Sequence, residues 1–400
     1  MGLFPWQTGR LEPRAGGRGH GAHSTAERHG TAEVGEQKVA LILGVTGIVG
    51  NYLASLLAKP DSYGGPWKVY GVARRPRPEW VPSNIEYMQV DLLDRQQTLA
   101  KLGALEDVTH VFWVTWVQGK TEAENIELNS RLLQNSIDAL LPNAKNLQHI
   151  VLQTGGKQYT GPFELAGKIQ PCESPFVEDV PRLPCDQFYH NQEDIVFEAV
   201  KQSGGRLTYS IHRPTIIFGF AAGNLMNLVG TLAVYALICK QEGKPLVFPG
   251  NQFTYERLFD ASDAELIAEQ EIWACVEPAA KNQALNSSNG DVFKWKKLWR
   301  LLADYFGMEV GEYNGNSILL DEFMKGKEDM WDQVVKKYNL EPVKLNDIGH
   351  WWFADLILNQ SAENVSSMNK SKELGFLGWR DTEKSFLSVL DKMKANNLIS

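Results

Sequence analysis

The stretch KVALILGVTGIVG at residues 38–50 joins a continuous apolar run to three closely spaced glycines. Such a run is typical of a strand in a parallel sheet that is covered on both faces. In the spacing G-x-x-G-x-x-G, Gly44 permits a tight turn, Gly47 lets the backbone approach a pyrophosphate, and Gly50 lets the next helix pack closely on the strand. The N-terminus of that helix offers N–H groups to an anion. Strand, turn and helix signals together predict a dinucleotide-binding loop, with a purely structural glycine turn as the alternative.

Strand and helix signals alternate outward from this stretch in units of about 30 residues. The segments predicted as strands or helices are 38–43, 52–58, 67–73, 85–90, 109–116, 123–141, 147–153 and 207–212. They predict a doubly wound parallel α/β Rossmann sheet within residues 38–219. Later helices are predicted at 228–239, 264–274, 292–306 and 319–337. We therefore expect residues 220–400 to form a smaller, mostly helical substrate-binding portion with returning core elements.

The composition limits the classes of function. The 400 residues include 40 Lys and Arg against 48 Asp and Glu, for a formal net charge of −8. This acidity argues against a nucleic-acid partner, since nucleic-acid binding depends on neutralising phosphates. Four cysteines are too few for a disulfide scaffold and lack metal-ligand spacing, so we expect no metal and a reducing compartment. The longest apolar stretch, 228–239, is too short to span a bilayer, which favours a cytoplasmic protein with a buried helix.

The first 37 residues differ from the rest of the chain. They hold eight of the 35 glycines and balance four arginines against four glutamates. They lack hydrophobic periodicity and the apolar core of a signal peptide, so we expect a disordered N-terminal extension.

The tip of the second predicted strand bears on the choice of dinucleotide. An NAD site would place a carboxylate there, whereas residues 72–77 read VARRPR. The adjacent guanidinium groups of Arg74 and Arg75 suit a 2′-phosphate, which predicts NADPH as the cofactor; a solvated basic turn is the alternative. Asp91 and Leu92 follow the third strand, where an adenine ring is usually flanked, although Asp91 could equally cap a turn.

The catalytic pair Tyr-x-x-x-Lys of short-chain dehydrogenases does not occur in this sequence. The fourth residue after Tyr189 is Glu193, which cannot supply the ammonium group that lowers the pKa of a phenol. Lys157 is the candidate replacement, because it directly follows the fifth strand, where a Rossmann ligand site is expected. A solvated loop lysine is the alternative interpretation.

Several long motifs resemble those of the plant progesterone 5β-reductase/iridoid synthase-like enone reductases, an atypical group of extended short-chain dehydrogenases/reductases. The resemblance spans about residues 38–400 and is carried by residues 44–50, 71–78, 121–125, 152–163, 188–195, 212–214, 225–230 and 288–295. It implies that the catalytic lysine has moved to the loop after the fifth strand, so that Lys157 and Tyr189 form the catalytic pair.

The chemistry implied by the resemblance is hydride transfer from NADPH to the β-carbon of an enone or enal. Tyr189 would stabilise the enolate oxygen, and Lys157 would place positive charge beside the phenol and the cofactor. The substrate would be a steroid, a monoterpenoid or a small enone, and a homodimer is a family-level expectation. The implied cofactor residues are Thr46, Gly47, Ile48, Arg74, Arg75, Asp91, Leu92, Thr115, Trp116, Gln153, Tyr189 and Ile216.

The sequence departs from the family pattern beside both catalytic residues. Gln158 stands where a histidine is common, and His190 stands where a second tyrosine is common. Trp116 is a candidate for the pocket wall, and Asn129 is interpreted as a structural hydrogen-bonding residue. Alternative functions on this fold are a carbonyl reductase, a sugar-nucleotide epimerase and a non-catalytic NADP-sensing module.

Overall fold

The computed structural model describes residues 37–221 and 226–400. The strands of this part are β1 (Lys38–Leu43), β2 (Trp67–Ala73), β3 (Glu86–Gln89), β4 (His110–Trp113), β5 (His149–Gln153), β6 (Thr208–Pro214), β7 (Ile216–Phe218), β8 (Ala261–Asp263) and β9 (Gln283–Ser287). Seven of them form a parallel sheet in the order β3-β2-β1-β4-β5-β6-β9, and β7 pairs with β8 in a separate parallel sheet. The predicted doubly wound Rossmann sheet is therefore confirmed.

The described helices run from the phosphate-loop region to the C-terminus. They are α1 (Gly50–Leu57), α2 (Arg95–Leu102), α3 (Glu122–Leu140), α4 (Lys157–Thr160), α5 (Phe188–Gln202), α6 (Leu228–Gln241), α7 (Gln252–Glu256), α8 (Ala264–Val276), α9 (Trp295–Tyr305), α10 (Leu320–Phe323), α11 (Glu328–Tyr338), α12 (Leu345–Ile348), α13 (Trp351–Leu358), α14 (Asn369–Glu373) and α15 (Thr382–Ala395). Short 3-10 helices occur at Phe163–Leu165 and Pro278–Ala280.

The two faces of the sheet are buried by different helices. Alternate residues of β1 point to opposite faces, as the pleat requires. Leu41 and Leu43 pack in one cluster with residues of α2, α3 and α5, whereas Ala40 and Ile42 pack in another with residues of α1 and α8. Both faces of β1 are thus apolar, which explains why its sequence is a continuous apolar run.

The strand order reverses between β1 and β4, so that their carboxyl ends open a crevice where ligands bind in this fold class. The C-terminal portion returns α8 and β9 to the sheet, where β9 pairs with β6. Five further helices of that portion pack around α6, which is buried over nearly its whole length: α9, α11, α12, α13 and α15. The predicted buried helix at 228–239 is confirmed, and no helix of the described ranges has the length and apolar character needed to cross a bilayer.

Some predicted elements differ from the structure. The single helix predicted at 319–337 is wrong, because α10 and α11 are separate. Gly326 between them has φ +72°, a left-handed conformation that interrupts a helix and favours glycine. The strands β7, β8 and β9 were not predicted, and β4 is shorter than the predicted 109–116. The predicted disorder of residues 1–37 lies, apart from residue 37, outside the described residues.

Candidate active site

A cavity of about 1050 Å³ lies at the carboxyl ends of the sheet strands. Residues of the C-terminal portion, including Met226, Phe353 and Ile357, form part of its wall. Most of the residues predicted for the site also line it: Gly44, Thr46, Gly47, Ile48, Arg74, Arg75, Leu92, Thr115, Trp116, Gln153, Lys157, Tyr189 and Ile216. The fold thus gathers residues from separate motifs around one cavity.

The glycine loop after β1 brings backbone to the cavity at two glycines, Gly44 and Gly47. Gly44 has φ +105°, and a Cβ atom there would lie 2.8 Å from the Cβ of Thr115. A Cβ at Gly50 would lie 2.0 Å from the carbonyl oxygen of Gly44, so Gly50 serves the packing of α1 and lies outside the cavity wall. At Gly44 and Gly47 the backbone itself therefore borders the cavity, beside Thr46 and Ile48, which is the close approach that a pyrophosphate site requires.

The loop after β2 places Arg74 and Arg75 at the edge of the cavity with exposed side chains. Gln89 Nε2 donates to the carbonyl oxygen of Arg74 (2.9 Å), and the Tyr87 hydroxyl donates to that of Arg75 (2.6 Å). Arg77 turns back instead, with its guanidinium donating to the carbonyl oxygens of Ile85 and Pro82. Two of the three arginines of this loop thus lie on the cavity wall.

The two residues predicted at the adenine have different positions. Leu92 lines the cavity, whereas Asp91 lies outside the cavity wall. The Asp91 carboxylate accepts a hydrogen bond from the backbone N–H of Leu93 (3.0 Å). The turn-cap interpretation therefore describes the Asp91 side chain.

Lys157 begins α4 and is enclosed by aromatic rings. Its Nζ lies 4.1 Å from the ring centre of Phe188, 4.9 Å from that of Tyr189 and 5.0 Å from that of Phe163. The residue is only 8% exposed, and its Nζ lies 3.9 Å from Oε2 of Glu122. Burial lowers the pKa of Lys157 to about 8, and Glu122 opposes that shift.

The hydroxyl of Tyr189 reaches the cavity beside Gly155. A Cβ on Gly155 would lie 3.0 Å from this hydroxyl, so the glycine leaves room for it. Burial, and after it the Glu122 carboxylate, raises the pKa of Tyr189, which keeps the phenol protonated at neutral pH. A neutral phenol close to a buried ammonium group can stabilise an oxygen atom on which negative charge develops.

Glu193 stands where other short-chain reductases carry the lysine, and it points to a different part of the structure. Its Oε1 lies 3.2 Å from Nη2 of Arg213, and its Oε2 lies 2.8 Å from Nη2 of Arg182. The side chain is buried, and Arg213 also donates to the carbonyl oxygen of Glu178. Glu193, one turn after Tyr189, therefore anchors α5 to the segments that carry Arg182 and Arg213.

Gln158 and His190, the two residues that depart from the family pattern, are buried and lie outside the cavity wall. Gln187 Nε2 lies 2.9 Å from His190 Nε2, and burial lowers the pKa of His190. A neutral histidine bonded to Gln187 agrees with a packing role. Asn129 accepts from the backbone N–H of Val117 and donates to its carbonyl oxygen, which holds the loop that carries Trp116.

Some residues of the site were not predicted from the sequence. Phe188 stacks on Trp116 at 5.9 Å with an interplanar angle of 9° and covers Lys157. Gln192 lines the cavity one turn after Tyr189, a helical spacing that could have indicated it. Gln192 Nε2 and Gln153 Oε1 are buried without a hydrogen-bond partner among the described residues. Because such groups are normally paired, they fit a polar ligand such as a nicotinamide dinucleotide.

A family model and the sequences of known proteins agree on a single family, and solved structures show the fold. The family model described as PRISE-like Rossmann-fold domain matches residues 84–400. An (S)-8-oxocitronellyl enol synthase of Camptotheca acuminata is 53% identical over 366 residues, covering 91% of this chain and 93% of that protein. The 3-oxo-Δ(4,5)-steroid 5-beta-reductase of Arabidopsis thaliana is 53% identical over 365 residues with the same coverage. A UDP-glucose 4-epimerase of Thermus thermophilus in complex with NAD has a TM-score of 0.60 at 15% identity, covering 89% of this chain and 99% of that chain, which shows the shared fold.

Proposed function

The chain belongs to the family of PRISE-like Rossmann-fold domains, and we propose that it is an NADPH-dependent reductase of the activated C=C bond of enones or enals. The relatives are named for reduction of a 3-oxo-Δ(4,5)-steroid and for synthesis of an enol. Addition of hydride to the β-carbon of an enone leaves an enolate. Protonation of the enolate on oxygen gives an enol, and protonation on carbon gives the saturated ketone, so one reaction type accounts for both names. The observation that carries the proposal is the convergence of Lys157 and Tyr189 on the cavity beside the glycine loop.

The cavity wall suits an NADPH molecule. Gly44 and Gly47 line the cavity with backbone alone, and Gln153 offers a buried amide oxygen. Arg74 and Arg75 would bind the 2′-phosphate through charge-assisted hydrogen bonds. When bound, the reduced nicotinamide supplies the hydride that is added to the β-carbon.

The residues of the chain would stabilise the charge that develops on the substrate. Tyr189 donates a hydrogen bond to the carbonyl oxygen and stabilises the enolate. Lys157 adds a positive charge within an aromatic enclosure that excludes water and so strengthens electrostatic interactions. Met226, Phe353 and Ile357 provide an apolar wall for the carbon skeleton of the substrate.

Incubation of the purified protein with NADPH and a panel of enones tests the reaction. The panel comprises a cyclic enone, progesterone and 8-oxogeranial. We expect oxidation of NADPH above the no-enzyme rate with at least one of them, and a product that has lost the C=C bond while retaining the carbonyl group. If every enone matches the no-enzyme control, the reductase proposal is wrong. A product reduced at the carbonyl group would instead indicate a carbonyl reductase.

The double variant Arg74→Ala/Arg75→Ala tests the choice of cofactor. We expect it to weaken NADPH binding by about 10- to 100-fold, because charge-assisted hydrogen bonds are worth about 1.5–3 kcal/mol each before solvent screening. NADH binding should change little, since NADH lacks the 2′-phosphate. Fluorescence titration gives both dissociation constants, and Arg300→Ala, at an exposed arginine of α9, is the matched control. Equal losses for NADPH and NADH would contradict the 2′-phosphate assignment.

The pH dependence of turnover tests the role of Lys157. Its pKa of about 8 means that the ammonium form is lost as the pH rises through that value. We therefore expect kcat/KM, which reports the pKa values of the free enzyme, to fall through about pH 8 when it is measured from about pH 6 to about pH 10. Lys157→Met should turn over slowly and lack this limb. A wild-type profile that stays level through the whole range would exclude a required Lys157 ammonium group.

The proposal extends to organisation, assembly and location. We assign cofactor binding mainly to residues 38–219 and substrate binding mainly to residues 220–400. We also propose a homodimer in the cytoplasm. The four cysteines are free thiols, in agreement with a reducing compartment. Sedimentation velocity tests the assembly, and a monomer at all concentrations would contradict the homodimer.

A further inference from the structure

We propose that Glu122 is a positioning residue that pairs with Lys157 and fixes the N-terminus of the helix that carries Tyr189. The inference rests on the proposed function, because it assigns Glu122 a part in the action of these two residues. Glu122 belongs to neither the glycine loop nor the predicted catalytic pair, and its position in the fold carries the argument.

One carboxylate connects three parts of the site. Glu122 is the first residue of α3, and its side chain is only 10% exposed. Its Oε1 accepts from the backbone N–H of Phe188, the first residue of α5, at 2.9 Å. Its Oε2 accepts from Nδ2 of Asn125 at 2.9 Å and lies 3.9 Å from Nζ of Lys157. The same carboxylate therefore contacts the helix that carries Tyr189 and neutralises the buried ammonium group.

The surroundings of Lys157 offer it few other charged groups. Aromatic rings enclose it on α5 and on the 3-10 helix, and the phenol of Tyr189 is neutral. Glu164, on that 3-10 helix, accepts from the backbone N–H of Glu122 at 2.6 Å, and its own carbonyl oxygen accepts from Lys168. The thiol of Cys185 lies in the field of Glu122, since burial, Asp186 and Glu122 together raise its pKa.

Burial and Glu122 have opposite effects on the charge of Lys157. A buried ammonium group without a counter-ion is strongly destabilised and tends to lose its proton. Burial acts in this direction on Lys157, and Glu122 raises its pKa against that tendency. Removal of the Glu122 charge should therefore favour the neutral amine at physiological pH.

A purely structural role is the competing explanation, because an acidic residue in the first turn stabilises a helix. Glu124 lies in the same turn of α3, is exposed, and accepts from the backbone N–H of Lys120 at 2.7 Å. A structural role predicts the same type of effect for both glutamates. If Glu122 acts through Lys157, substitution of Glu122 should change the pKa of Lys157, whereas substitution of Glu124 should not.

Competitive acetylation of the full-length protein measures this titration without substrate. Wild type, Glu122→Gln and the control Glu124→Gln are treated with acetic anhydride over a range of pH, and the Lys157 peptide is quantified by mass spectrometry. We expect a midpoint near 8 for wild type and Glu124→Gln. The midpoint for Glu122→Gln should be lower by about one pH unit, the lower end of the effect of an opposite charge at this distance. The alkaline limb of kcat/KM should move in the same direction.

An unchanged Lys157 midpoint in folded Glu122→Gln would overturn the proposal. The glutamine can still accept from the N–H of Phe188, so the variant is expected to fold. If Glu122→Gln does not fold, Glu122→Asp is tested instead, because it keeps the charge but moves the carboxylate away from Lys157. An unchanged Lys157 midpoint in Glu122→Asp would equally count against the pairing. A shifted midpoint without turnover of any enone by wild type would leave the pairing intact and contradict the proposed function instead.

Discussion

Replacement of Tyr189 with phenylalanine should lower the turnover of an enone by about 10²- to 10³-fold, the usual cost of removing one donor to a developing oxyanion. The affinity for NADPH should stay nearly unchanged. The ring would keep its contact with Phe188, at 4.3 Å between ring centres, and its place beside Lys157. The substitution therefore removes one hydroxyl group and leaves the shape of the wall, so the loss should fall on kcat.

Steady-state kinetics at saturating NADPH and a separate NADPH titration distinguish the possible roles of Tyr189. Tyr209→Phe, at a partly exposed position on β6, is the matched control and should retain wild-type turnover. If Tyr189→Phe loses NADPH binding while its kcat is unchanged, the residue binds the cofactor and the oxyanion role is wrong.

Replacement of Glu193 with lysine would restore the spacing Tyr-x-x-x-Lys but should lower the free energy of unfolding by about 3–5 kcal/mol, as expected when one partner of a buried ion pair is removed. The new ammonium group would face Arg182 and Arg213, both of which now contact the carboxylate of Glu193. The position is buried, so solvent would screen this repulsion poorly.

Urea denaturation measures this loss of stability. Glu198→Lys, at an exposed position of the same helix, makes the same charge change and should be nearly neutral. A second test uses the Lys157→Met background. If Glu193→Lys restores turnover there without loss of stability, the position can supply the catalytic ammonium group and the anchoring role is wrong.

The elements around the glycine loop were predictable because they depend on residues close in sequence. The continuous apolar run predicted β1 with its observed bounds, and the arginines at the tip of β2 lie at the cavity edge. The break of the predicted helix at Gly326 was missed, since apolar spacing on both sides of a glycine does not reveal a left-handed turn. Local patterns thus predicted most of the sheet and part of the cavity wall.

The sequence by itself determined the fold class, the glycine loop and the absence of a lysine four residues after Tyr189. Only the tertiary structure decided which polar side chains meet. It turned Arg77 to backbone carbonyl groups, paired Glu193 with two arginines, and brought Glu122 to within 3.9 Å of Lys157. The reason is physical: backbone conformation follows from neighbours along the chain, whereas the partner of a buried charge comes from a distant segment. That partner is set by how the helices pack on the sheet.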